Sequence, residues 1–306
     1  MFLNEELRVK NEELRAGPAS KRLNVRVGRT TLSFSAADAR ETAPAEAAPT
    51  IAWWPYEVKT GMSMAANLRE AFRTADAAGD GFGRWLAGPW DSALVMTVTP
   101  VLLVPAETFV AGAATSLYSH AFAVGADSGR TRRDDKVMHT EIPSLGVVAL
   151  FGVNRDLSVV MRDNIAEVTY MPAIVPVWDY LYHCRGRLLS SSSQRRKLYG
   201  YFHDGMVDVF AFSHNRFRFS NTFDVNNSRD TAYFLLYVWK QLGYDQRRDE
   251  LHIAGDVPQM QQTLDLLRRY VQNVYVINPA ADFNRSPVTR VEGMPYDLMT
   301  LYVKGR

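Results

Sequence analysis

The chain has 306 residues, 47% of them hydrophobic and 11% aromatic, enough to bury the core of two ordinary domains. Its 35 Lys and Arg against 33 Asp and Glu leave +2, which excludes a strong overall field for recruiting nucleic acid or an anionic membrane. The lone cysteine, Cys184, excludes an internal disulfide and a cysteine-built zinc site, and suits a reducing compartment, so the expected localisation is cytoplasmic. No window approaches the ~18–20 apolar residues of a membrane span, so membrane insertion is not expected.

In chain order, "NEELR" occurs at 4–8 and again at 11–15, which puts Leu7 and Leu14 on one helical face. Two heptads predict no more than a helical or disordered arm over residues 1–21. "LNVRV" and "TLSFS" alternate apolar and polar residues around Gly28, Arg29 and Thr30, which predicts a β-hairpin. A Pro- and Ala-rich loop over 37–50 leads to a short strand, "IAWW". A helix capped by Ser63 follows, with Met64, Leu68, Ala71 and Phe72 at helical spacing. "SALVMTVT" and "VLLVP" predict strands and Glu107–Phe122 a helix. Residues 125–140 read as an exposed loop whose acids neutralise its arginines. "GVVALFGV" and "DLSVVMRD" predict two strands turning at Asn154 and Arg155. The polar run from Ser190 to Arg196 predicts a hinge between halves.

Beyond it, "KLYGYFHD", "MVDVFAFS" and "RFRFSNTF" predict a three-stranded meander, the last two joined at His214 and Asn215. Asp204-Gly205 is among the strongest hairpin-turn pairs. A helix capped by Ser228 and stopped at Gly243 follows, then strand "ELHIAG", helix "VPQMQQTLDLLRRYV" and strand "NVYVIN". The order is βββαβαβ, and the first half can be laid over it. The expected organisation is an arm over 1–21, a first half over 22–193 and a second over 194–306, an α/β fold of two duplicated βββαβα halves around a cleft.

The segments "TLSFSAAD", "VLLVPAETF", "RFRFSNTFDV", "TAYFLLYVWKQLGYDQRRDELHIAG" and "LLRRYVQNVYV" resemble an uncharacterised bacterial family, a domain of unknown function with the actin-like ATPase (ribonuclease H-like) fold. The resemblance covers about residues 22–306, and it implies a fold but no activity. Proteins of the wider superfamily, which includes actin, sugar kinases, heat-shock chaperones and pilus-assembly and secretion platforms, bind ATP between their halves. They use an Asp-x-Gly turn in the first hairpin of each half and a Gly-Gly turn near the adenosine. The glycine lets backbone N–H groups approach phosphate, and the aspartate holds magnesium or its waters.

Each of these turns departs from the pattern. The first reads Arg26-Val27-Gly28, a guanidinium where a carboxylate is needed, and a guanidinium cannot hold magnesium. The second reads His203-Asp204-Gly205, with the acid one position late. The third has one glycine, Gly255, followed by Asp256, a candidate helix cap. Arg26, Gly28, Arg29, Asp204, Gly205, Gly255 and Asp256 therefore outline a vestigial cleft.

The remaining residues carry little chemistry. The six histidines show no metal spacing; on a regular strand His203 and Asp208 would fall on opposite faces. His183 and Cys184 diverge on a helix, and Ser190–Ser193 lack a nucleophile motif. Tyr233 and Tyr237, four residues apart, are candidates for an interface.

The expected function is that of a non-catalytic binding or scaffold protein, without catalytic residues, metal or cofactor. Its partner would be another protein or a second copy, with no role for nucleic acid. The alternative is a divergent ATPase or phosphotransferase that binds ATP and magnesium through Asp38, Asp204, Asp208 or Asp256, marked by two of these carboxylates converging on one cleft. A third reading is anion sensing through Arg26, Arg29, Gly205 and Gly255.

Overall fold

The strand alternation seen in the sequence has a two-sided use. In the computed structural model, which describes residues 21–38, 50–75, 81–123, 135–183, 195–213, 216–284 and 286–303, Leu23, Val25 and Val27 are buried, and so are the polar residues between them, Asn24 and Arg26. The first hairpin is thus covered on both faces, and its polar face needs partners from elsewhere in the chain.

The elements run β1 (Arg22–Val27), β2 (Leu32–Asp38), β3 (Thr50–Tyr56), α1 (Met64–Ala75), α2 (Gly81–Leu86), β4 (Ser92–Thr97), β5 (Val101–Pro105), α3 (Ala114–Ala123), β6 (Asp135–Ile142), β7 (Val147–Asn154), α4 (Arg155–Asn164), β8 (Glu167–Pro172) and α5 (Val175–Leu181). They continue with β9 (Lys197–His203), β10 (Met206–Ser213), β11 (Arg216–Asp224), α6 (Ser228–Gln241), β12 (Glu250–Gly255), α7 (Met260–Arg268), β13 (Asn273–Val276), α8 (Pro279–Asp282) and α9 (Tyr296–Val303).

Two sheets repeat one plan. The first has the order β3-β2-β1-β4-β8 and the second β11-β10-β9-β12-β13. In each, an antiparallel meander is extended by two parallel strands. The first half also carries a third sheet, β5-β7-β6, inserted between β4 and β8.

The helices that end each half change sides. Val177, Trp178 and Leu181 of α5 pack with Tyr199, Tyr201 and Phe210 of the second sheet. Leu298 of α9 packs with Leu94 and Met96 of the first sheet. Each half therefore completes the core of the other.

Several expectations are corrected. "DLSVVMRD" is α4, not a strand: Leu157, Val160 and Met161 are buried at helical spacing, and Asn154 is its N-cap, accepting from Leu157 N at 3.0 Å. A short apolar run does not by itself separate helix from strand. β8 was not anticipated. Residues 135–140 are strand, not loop, since they pair with β7. The helix expected from Glu107 becomes regular only at Ala114, because Phe109 and Val110 are extended.

The cap of α6 is Asn227 rather than Ser228, with Oδ1 accepting from Arg229 N and Asp230 N at 2.9 Å each. The cap at Ser63 is present, accepting from Ala66 N at 3.1 Å. The arm over 1–20, the serine run, Cys184 and the turn at His214 and Asn215 lie outside the described residues. Among the described residues, no helix is long and apolar enough to cross a membrane.

Candidate functional site

The two leading hairpins meet tip to tip. The first turns through Gly28–Thr31, closed by Gly28 N donating to Thr31 O at 2.8 Å. The second is a two-residue turn in which His203 pairs with Met206, and Asp204 and Gly205 both take positive φ, 48° and 72°. This is the backbone of a hairpin turn that favours Asp-Gly.

Asp204 does more than reverse the chain. Its carboxylate crosses to the first hairpin, where Oδ2 accepts from Arg26 Nη2 at 2.7 Å and Oδ1 accepts from Thr31 Oγ1 at 2.9 Å and from Arg29 N at 3.2 Å. A guanidinium, a hydroxyl and a backbone N–H form an anion seat. The anion in it is the chain's own. Gly28 is required by this approach, since a Cβ there would overlap Asp204 Oδ1 and Thr31 Oγ1.

Arg26 is held from a second direction. Its Nε donates to both carboxylate oxygens of Asp297 on α9 at 2.9 Å, and its Nη1 donates to Thr31 Oγ1 at 3.1 Å. Arg26, Asp204 and Asp297 are all buried, their side chains 3%, 2% and 0% exposed. Burial disfavours the Arg26 cation, but Asp297 and Asp204 more than offset this and raise its pKa above the ordinary arginine value. Burial likewise opposes ionisation of Asp204, and the hydrogen bonds and charges of His203 and Arg26 hold its pKa well below the usual carboxylate range. The result is a closed set of paired charges.

His203 extends the set into the second sheet. Its Nδ1 lies 3.1 Å from Asp204 Oδ2 and its Nε2 2.7 Å from Asp208 Oδ2, and Thr222 Oγ1 donates to Asp208 Oδ1. The expectation that His203 and Asp208 point to opposite faces is wrong. The short turn pairs Met206 with His203 and Asp208 with Tyr201, so both side chains share a face across the hairpin. Burial lowers the His203 pKa, but its bonds to Asp204 and Asp208 raise it to about 9. Near neutral pH both ring nitrogens therefore donate. Tyr201 stacks on the imidazole, with ring centroids 4.6 Å apart, and its hydroxyl accepts from Asp297 N at 3.3 Å.

Of the residues expected at the cleft, Arg26, Gly28, Arg29, Asp204 and Gly205 come together here. Arg29 also pairs with Asp224 on β11 at 2.7 Å. Gly255 ends β12 beside β9, with φ 86°, where a Cβ would strike Phe202 O. Asp256 is exposed and does not cap α7, whose N-cap is Gln259; the Asp256 N–H donates to Phe202 O at 3.0 Å. Of the alternative carboxylates, Asp204 and Asp208 do converge, but on the imidazole between them. Asp38 ends β2. Asp297 was not foreseen, its signal being one acid in an apolar C-terminal helix.

Beside the clasp lies a cleft of about 160 Å³ lined by Arg29, Thr97, Trp178, His203, Asp208 and Thr222, among others. Small-molecule sites usually span about 300–1,000 Å³, so this space is small for a nucleotide. Among the described residues, no group of three His, Cys, Asp or Glu side chains is arranged to hold a metal ion.

The family model described as "Protein of unknown function (DUF3822)" matches residues 16–274. No curated protein matches the chain. A solved structure from Bacteroides thetaiotaomicron VPI-5482, a protein with actin-like ATPase fold and unknown function, is 23% identical with a TM-score of 0.70. It covers 89% of this chain and 96% of its own, which establishes the actin-like fold. More distant likenesses are the PilM-PilN type IV pilus biogenesis complex, at 12% identity and TM-score 0.47 over 92% of this chain and 94% of that one. The cytoplasmic domain of EpsL, an inner membrane component of the type II secretion system of Vibrio cholerae, is 12% identical with TM-score 0.37, over 76% and 82%.

Proposed function

The chain belongs to the DUF3822 family of proteins of unknown function, and we propose that it works as a non-catalytic binding or scaffold protein whose halves are joined by their own charges rather than by a nucleotide. The observation that carries this reading is the seat of Asp204. Its carboxylate occupies the guanidinium, hydroxyl and backbone N–H that a phosphate group would need, at 2.7, 2.9 and 3.2 Å. A phosphate entering there must displace a buried, multiply bonded carboxylate and leave Asp204 without its Arg26, Thr31 and Arg29 partners, which opposes binding.

The partner is another protein or a second copy of the chain, and the working compartment is the cytoplasm, which suits the single cysteine. The two working halves divide near residues 193 and 194.

One observation favours a second reading. Asp204 and Asp208 both reach the imidazole of His203, and His203 and Asp208 line the adjoining cleft, so freeing this pair would supply the two carboxylates that a divergent ATPase or phosphotransferase using magnesium needs. Calorimetric titration and thermal unfolding with magnesium-ATP separate the two. On the scaffold reading, millimolar nucleotide gives no heat of binding and no shift in Tm. Stabilisation that is lost in Asp204→Asn and Asp208→Asn would reverse the reading, whereas a shift produced equally by inorganic phosphate without magnesium would assign the cleft to anion sensing.

A further inference from the structure

The duplicated plan supplies an internal reference for surfaces that are bare in one half and covered in the other. In the first half, α2 lies beside the edge strand β3 and covers it: Phe82 and Trp85 pack on Trp54 at centroid distances of 5.8 and 6.3 Å, and Phe82 on Tyr56 at 6.2 Å. Among the described residues the second half has no counterpart of α2: residues 242–249, which join α6 to β12, contain no helix. There the aromatic ladder Phe223, Phe234, Tyr233 and Tyr237 continues outward from the edge strand β11 and ends in solvent. Tyr233 and Tyr237 are 62% and 48% exposed and stack on each other, 6.1 Å between centroids and 18° between planes.

Charge selects what would cover them. At about 100° per residue, Arg229, Tyr233, Tyr237 and Lys240 fall on one face of α6, and all four are exposed. The acid at this end of the helix, Asp230, accepts from the side chain of Asn227 at 2.7 Å. The stacked tyrosines and Arg229 are residue types that dominate binding energy in protein interfaces, and Lys240 adds a second positive charge to the stripe. A second copy presenting the same stripe would set cation against cation.

We propose that this face of α6 docks a short acidic segment of another protein, carrying an aromatic or aliphatic side chain that packs on Tyr233 and Tyr237 as Phe82 and Trp85 pack on Trp54. The site deepens the scaffold reading by naming the chemistry of its partner. It is separate from the clasp, so nucleotide binding would overturn that reading without touching this face.

The test uses two displayed libraries of short peptides, equal in Trp, Phe and Leu content and differing in whether their charged positions are Glu and Asp or Lys and Arg. The acidic library yields binders to the purified full chain and the basic one does not. Tyr237→Ala, and separately the pair Arg229→Glu with Lys240→Glu, weaken the selected peptides by about tenfold or more, and affinity falls as salt is raised. These side chains are exposed, so the variants keep a wild-type unfolding curve, and Tyr237→Phe retains binding. No enrichment, or binders indifferent to these variants, overturns the proposal. So does binding of a single-stranded oligonucleotide, or self-association, that the same variants abolish.

Discussion

Asp204 Oδ2 lies 2.7 Å from Arg26 Nη2, although 178 residues separate them, and the bond joins the tips of the two leading hairpins. The pair is buried, so its energetics follow the rule for interior charges. Keeping both partners is near neutral, and removing one leaves an uncompensated charge.

Arg26→Met is therefore expected to destabilise the protein by about 3–5 kcal/mol, because Asp204 and Asp297 lose their shared cation together. Arg26→Lys recovers only part of this, since one ammonium cannot reach Asp204, Asp297 and Thr31 as the guanidinium fork does. Denaturant unfolding measures both. A double-mutant cycle of Arg26→Met with Asp297→Asn should show strong coupling, and additive losses would contradict the clasp.

Glycine substitutions separate close approach from backbone strain. At Gly28 a Cβ meets the Asp204 carboxylate, so Gly28→Ala is expected to cost about 1–3 kcal/mol by pushing the hairpins apart. Gly205 has open space around it and only an unfavourable φ, so Gly205→Ala costs about 1 kcal/mol. Gly112, with neither constraint, should accept alanine within about 0.5 kcal/mol. The order Gly28, Gly205, Gly112 in midpoint shifts checks the geometry, and equal losses at Gly28 and Gly205 would count against contact between the halves.

What was legible in the sequence was local. Alternation marked both leading hairpins, and Asp-Gly announced the turn that Asp204 and Gly205 make. Helical spacing marked α1 and α6, and the cap was legible only for α1, at Ser63. The failures have physical causes. Residues 156–163 form a run too short for periodicity to decide, and the informative residue was Asn154, a cap mistaken for a turn. Alternation along a single strand puts His203 and Asp208 on opposite faces, whereas the hairpin turn places them on two strands. The clasp was beyond reach because Arg26 alone looks like a failed metal site; its meaning comes from Asp204 and from Asp297, 271 residues away, which the exchange of α5 and α9 brings to it.

The last prediction concerns His203, which faces Asp204, Asp208 and Asp297, with Tyr201 stacked on it and Arg26 beyond Asp204. Its folded pKa is raised to about 9 from 6.5, so the native state holds the proton more tightly than the unfolded chain does. The stabilisation is fully present below pH 6.5 and is lost as pH rises through 9, a fall of up to about 3 kcal/mol across that window. Asp204 acts in the opposite direction: its depressed pKa stabilises the fold above about 3.8, and that contribution is lost as acid is added. Denaturant unfolding between pH 5 and 10 should therefore show stability declining on the alkaline side, with His203→Gln flattening that limb and lowering its neutral-pH value. A wild-type profile flat from pH 6.5 to 9, with the imidazole titrating near 6.5, would show that the two carboxylates do not hold the proton between them.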